Sequence, residues 1–77
     1  MHCRIADIRG KEVIDVCSGN RLGYPSDVEI DAETGQLVAL VVPGACKYLG
    51  MFGREEDIVI PWHSISRIGE DLILVER

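Results

Sequence analysis

Five side chains of this sequence are of types that hold metal ions: His2, Cys3, Cys17, Cys46 and His63. A zinc site usually draws on local ligand pairs such as C-x2-C, and this chain has none. Adjacent His2 and Cys3 would chelate only weakly. The thiols could instead respond to oxidants. Cys46 stands beside Lys47, whose charge favours the thiolate. Cys17 alternates with Asp15 and falls near a turn, which would leave it partly exposed. A thiol or metal sensor using Cys17 or Cys46 is one reading; inert packed or surface thiols are the other.

Other catalytic arrangements fail on spacing. Ser64 neighbours His63, but side chains one position apart in a helical turn do not face each other. No G-x-S-x-G elbow occurs, and "GACKYLG" lacks the G-x-x-x-x-G-K-[ST] spacing of a phosphate-binding loop. The carboxylate groups Asp27/Glu29, Glu55/Glu56/Asp57 and Glu70/Asp71 fall on a wet strand face or in turns. A non-catalytic domain, with no cofactor and no metal, is the expectation.

The elements that must position these residues follow a period of two. Short apolar runs alternate with turn signals, the pattern of a small all-β barrel or sandwich. A first strand is expected over Val13–Cys17, with a turn at Ser18-Gly19-Asn20. A second starts in "LGYPSDVEID", with Leu22, Tyr24, Ser26, Val28 and Ile30 on one face and Asp27, Glu29 and Asp31 on the other. Pro25 lacks an N–H and marks an edge, a strand start or a bulge there. "DAETGQ" is the clearest turn: Asp31 can accept nearby amides, and Gly35 can take the left-handed conformation. Strands over Gln36–Val42 and through "DIVIP" follow. "WHSI" suits one helical turn, and short strands near Ser66–Ile68 and in "LILVE" flank the turn "GED". The N-terminal "RIADIRGKE" suits an amphipathic turn pinned by Ile5 and Ile8.

The 77 residues make one domain, spanning 1–77, near the lower size limit for a self-sufficient core. Gln36–Val42, Ile58–Ile60 and Leu72–Val75 are apolar on both faces, whereas a free-standing antiparallel strand usually keeps one wet face. Their cover could be the segment around Tyr48–Phe52, the N-terminal turn or a second subunit. A homodimer is expected.

The net charge of −5 combines 13 acidic with 8 basic residues, and the basic ones are scattered among acids. Nucleic-acid binding needs a basic stripe, so no DNA partner is expected and RNA is disfavoured. No apolar run approaches the ~20 residues of a membrane span, and no signal-peptide pattern opens the sequence. A cytoplasmic chain with reduced thiols is the expectation.

Interaction residues concentrate in "CKYLGMFGREE", which brings Tyr48, Leu49, Met51 and Phe52 together between glycines. With Lys47, Arg54 and Glu55 as a polar rim, these residues would form an interaction patch. Alternatively Leu49 and Phe52 tuck inward as a lid, and the two arrangements can coexist. Trp62, after Pro61, is either a plug at a barrel end or an interface anchor. The candidate interaction surface is therefore Tyr48, Leu49, Met51, Phe52, Arg54 and Trp62.

Three stretches, "RIADIRGKEVIDVCSGNRLG", "DVEIDAETGQLVALVV" and "LGMFGREEDIVIPWHSISRIGEDLILV", resemble the PRC-barrel superfamily. In particular they look like its short single-domain, sporulation-associated group, the YlmC/YmxH type. The resemblance implies an all-β fold: a small antiparallel barrel of about six short strands with one or two short helical turns. Elsewhere this module occurs in a photosynthetic reaction-centre subunit and a ribosome maturation factor, contributing protein contacts rather than catalytic groups. It thus implies a sporulation-associated adaptor bound to a protein partner, or, by analogy with the maturation factor, an adaptor on RNA or the ribosome. It supplies no site residues. Gly19, Gly23, Asp31, Gly35, Pro61 and Gly69 match its motifs as turn and strand-end positions.

Overall fold

Two of the described chain reversals are set by aspartates that bind their own backbone. In this computed structural model, which describes residues 2–43 and 57–77, Asp15 ends the first strand. Its carboxylate accepts the Cys17 N–H at 3.0 Å and its carbonyl accepts the Gly19 N–H at 2.7 Å, a local alternative to the sheet ladder. Strand β1 is therefore Glu12–Asp15, shorter than the Val13–Cys17 expected. Asp31 acts as expected. Its carboxylate accepts from Glu33 and Thr34 at 2.9 and 3.3 Å, and Gly35 takes φ +79°.

Pro25 divides the second expected strand. The chain forms β2 at Arg21–Gly23 and, beyond the proline, β3 at Asp27–Ile30. The single face expected to carry Leu22, Tyr24, Ser26, Val28 and Ile30 is broken by this division and by a register shift between Glu29 and Ile30. Tyr24 and Ile30 are exposed, while Leu22 and Val28 pack against the core. Strand β4 is Leu37–Val42 and β5 is Ile58–Pro61. A 3-10 turn at Trp62–Ser64 leads into β6, Ile65–Ile68, and the chain finishes with β7, Leu72–Val75. One short helix, α1 (Ile5–Arg9), precedes β1. Ile8 is buried against the core, but Ile5 is 47% exposed, so only one of the two expected pins holds the helix down.

Among the described residues, seven strands form two sheets, in the orders β2-β1-β7-β6 and β3-β4-β5. The fold is all-β, but the sheets are not closed into a barrel, and the described residues form seven strands rather than about six. Splitting at Pro25 supplies the extra strand. Nor is the pairing wholly antiparallel: β1 runs parallel to β7, with Val13 opposite Ile73 and Asp15 opposite Val75. Parallel strands need a long crossover, and here most of the domain forms it.

The core lies between the inward residues of both sheets. Val13, Ile73 and Val75 from one sheet and Leu40, Val42 and Ile60 from the other are fully buried. Leu22, Val28, Ile58, Trp62, Ile65 and Ile68 pack around them. Aliphatic side chains fill this core, as the 5% aromatic content requires.

Candidate interaction surface

Among the expected chemical groups, Cys3 and Cys17 are free and exposed, and His2 and His63 are exposed. Among the described residues no three His, Cys, Asp or Glu side chains converge in a metal-holding cluster. Cys46 lies outside the described residues, as do Tyr48, Leu49, Met51, Phe52 and Arg54. Trp62, the remaining member of the expected surface, is half-buried in the 3-10 turn and packs against the core.

The outer faces of the sheets carry the described apolar surface. On the three-stranded sheet, Asp27, Val41 and Val59 stand in one row across the strands, and Glu29, Ala39 and Pro61 in the next. That face grades from acidic on β3 to apolar on β5, where Val59 is 51% exposed.

The outer face of the four-stranded sheet is built differently. Alternation that buries Val13, Ile73 and Val75 turns Ile14, Leu72 and Leu74 outward. Register aligns Leu74 with Ile14 on one side and Arg67 on the other, and Ile14 in turn with Arg21. At one side of this face, Arg21 closes on Glu12 in a two-pronged pair at 2.8 and 3.0 Å. The hydrogen bonds from Arg21 hold the Glu12 carboxyl below its ordinary range, against a smaller opposing effect of burial.

At the other side lies an open groove of about 320 Å³, lined by Arg67, Gly69, Glu70, Asp71, Leu72 and Leu74. Its rim is rigidly held. The Lys11 ammonium donates to the carbonyls of Gly69 and Glu70 at 2.7 and 2.6 Å, and the Glu12 N–H donates to the Asp71 carbonyl at 3.1 Å. Gly69 N–H closes the turn onto the Leu72 carbonyl at 2.8 Å. The groove thus has an apolar floor with both signs of charge on its walls. Such a surface can hold apolar and charged side chains together, and nothing in its chemistry supplies a nucleophile beside a base.

Sequence reasoning marked Leu72–Val75 as apolar on both faces but did not assemble this groove. The signal was present in "LILV" beside "IGED". What was missing was the parallel pairing that lays Ile14 next to Leu74.

The sequence matches the model of the PRC-barrel domain over residues 2–77. It is 45% identical over 71 residues to "Probable sporulation protein YlmC" of Bacillus subtilis, covering 92% of this chain and 88% of that protein. It is also 37% identical over 75 residues to the uncharacterized protein YmxH of the same organism, covering 95% and 87%. An uncharacterized protein of Clostridium acetobutylicum is 40% identical over 68 residues, covering 88% and 77%.

Proposed function

Since the chain belongs to the PRC-barrel family, we propose that it is a non-catalytic protein-interaction module, self-associating and acting as an adaptor in the cytoplasm. The observation that carries this reading is the apolar outer surface of both sheets. Val59 on one and Leu72 on the other are each at least 40% exposed, beside half-buried Val41, Ile14 and Leu74. Burying such side chains yields roughly 25 cal/mol per Å² of apolar surface, the ordinary driving force of association. Charged groups border these faces, as they border interaction surfaces in general.

The sporulation context is carried over from the printed name of the Bacillus subtilis relative. Among the described residues no helix is long and apolar enough to cross a membrane. Tyr48, Leu49, Met51, Phe52 and Arg54 enter the proposal on their composition and sequence position, with Trp62 as the adjoining anchor.

Photo-crosslinking from Val59, Leu72 and position 52, each replaced in turn by a photoreactive residue, tests the reading in a spore-forming host. Specific adducts, whether with another protein or with a second copy of the chain, support it. A lack of adducts from all three positions in growing and sporulating cells overturns it. RNA retention that falls steeply with salt would favour the ribosome-associated alternative, against which the net charge of −5 argues. Thiol titration and elemental analysis address the sensor alternative on Cys17 or Cys46.

A further inference from the structure

We infer that the groove beside β7 seats a second copy of this chain across a two-fold axis, Arg67 of each protomer meeting Glu70 and Asp71 of the other. The inference rests on the interaction reading above and names the occupant of one of its surfaces.

The charges point to self-recognition. Arg67, Glu70 and Asp71 line one groove, yet none of their side chains forms an ion pair with another described residue. On the same sheet face, Glu12 and Arg21 do close on each other at 2.8 Å. The face therefore ends in a closed ion pair on one side and, on the other, in exposed charges of both signs that have no ion-pair partner among the described residues. A partner of one sign would gain at one wall and lose at the opposite wall. A second copy carries both signs on the same rigid frame, and a two-fold rotation exchanges them, so each attractive contact is made twice. That is the defining property of an isologous interface.

The apolar floor gives the same answer. Leu72 and Leu74 lie at its centre with Ile14 adjoining, and a two-fold contact would set these side chains against their own copies. For a 77-residue chain, such burial supplements a core near the lower limit of size. The frame is suited to docking because Lys11 and Glu12 fix the turn that carries Glu70 and Asp71, so little order must be gained on association.

Charge exchange between separately purified variants tests the arrangement. Light scattering across a hundredfold concentration range should show wild-type dimer. Arg67→Glu and Glu70→Arg should each weaken self-association by about tenfold or more, because each sets like charges across the axis. Mixing the two variants should restore the dimer, since both cross-axis contacts become attractive again; a simple folding defect would not be rescued by mixing. If either variant melts well below wild type, Leu72→Ser at the exposed floor takes its place and should also yield monomer. A wild-type chain that stays monomeric overturns the inference but leaves the interaction reading standing wherever crosslinks to another protein form. A dimer indifferent to both reversals, or variants that stay folded yet fail to recover on mixing, overturns this face as the seat of association.

Discussion

The Lys11 ammonium lies 2.7 Å from the carbonyl oxygen of Gly69, fifty-eight residues further along the chain. A second carbonyl, that of Glu70, accepts from the same ammonium at 2.6 Å. Lys11 is only 9% exposed, so a cation sits almost out of solvent with backbone oxygens as its described partners. The contact ties the start of β1 to the turn before β7, where the two strands run parallel and no hairpin can set their register.

Lys11→Met keeps much of the aliphatic stem and removes the donors. It leaves two carbonyls underpaired and removes one tie on the 69–71 turn, while the Gly69–Leu72 and Glu12–Asp71 backbone bonds remain. Hydrogen bonds from charged groups contribute about 1.5–3 kcal/mol each, and the methionine recovers some apolar contact, so a loss of about 2–4 kcal/mol is expected. Chain length sets total stability at roughly 4–12 kcal/mol, which makes this a large fraction. Urea denaturation measures it. A change under half a kcal/mol would show that water replaces the ammonium without penalty.

Glu12 and Arg21 give a pH prediction with a definite sign. Arg21 depresses the folded-state pKa of Glu12 below its ordinary value of 4.5. The pair therefore adds stability above the unfolded-state pKa, and that contribution is lost as pH falls through the lower, folded value. Because the Arg21 side chain is 72% exposed, solvent screens the pair and its effect is small. Arg21→Ala should return Glu12 to the ordinary carboxylate range. A carboxyl NMR titration of wild type and variant checks this, and coincident curves would mean the pair does not persist in solution.

Local features of this fold were legible in the sequence because their causes are local. Asp31 and Gly35 specify their hairpin within six residues, and Pro25 marks a discontinuity wherever it falls in a strand pattern. The 3-10 turn at Trp62 follows directly from a proline. Features joining distant segments were not legible. Alternation reads the same in either strand direction, so it could not reveal that β1 and β7 run parallel. Lys11, in "RGKE", looks like any solvated charge until the 69–71 turn closes over it. Ile5 and Ile8 have equal hydrophobicity, and only packing separates the exposed one from the buried one. Of the expected interaction residues, Trp62 offered either a plug or an anchor in the sequence and stands half-buried against the core in the fold, while the groove beside Leu74 depended on strand order.

Two glycines should respond differently to the same substitution. Gly35 has φ +79° and open space where a Cβ would stand, so Gly35→Ala meets only the left-handed backbone penalty, about 1 kcal/mol. Gly23 has φ +116°, well beyond the left-handed well that other residues can enter, and its added Cβ would touch Val42 Cγ1 at 3.5 Å. That contact is ordinary, so the backbone decides the outcome. Gly23→Ala should cost about 1–3 kcal/mol, more than the same change at Gly35. Gly35→Asn should lose less than Gly35→Ala because asparagine tolerates the left-handed region. Parallel denaturation curves rank the three. Equal losses at the two alanine variants would remove the backbone explanation.

Strand β4 permits the sharpest test of which apolar residues are core. Its sequence, "LVALVV", gives no hint that Val38 differs from Leu40 two positions on. In the fold, Leu40 is fully buried between Val28 and Ile60 in the register, whereas Val38 is 47% exposed. Leu40→Ala should cost about 2–5 kcal/mol, through lost burial and the cavity left behind. Val38→Ala should stay within about 0.5 kcal/mol, as an exposed substitution does. The comparison also bears on association. If Val38→Ala destabilises the protein at high concentration but not at low, a second copy covers the end of β4 and the three-stranded sheet takes part in self-recognition. If the cost is small at every concentration, that end of β4 is free of any subunit contact, and self-association must be sought on another face, with the groove beside Leu74 first among them.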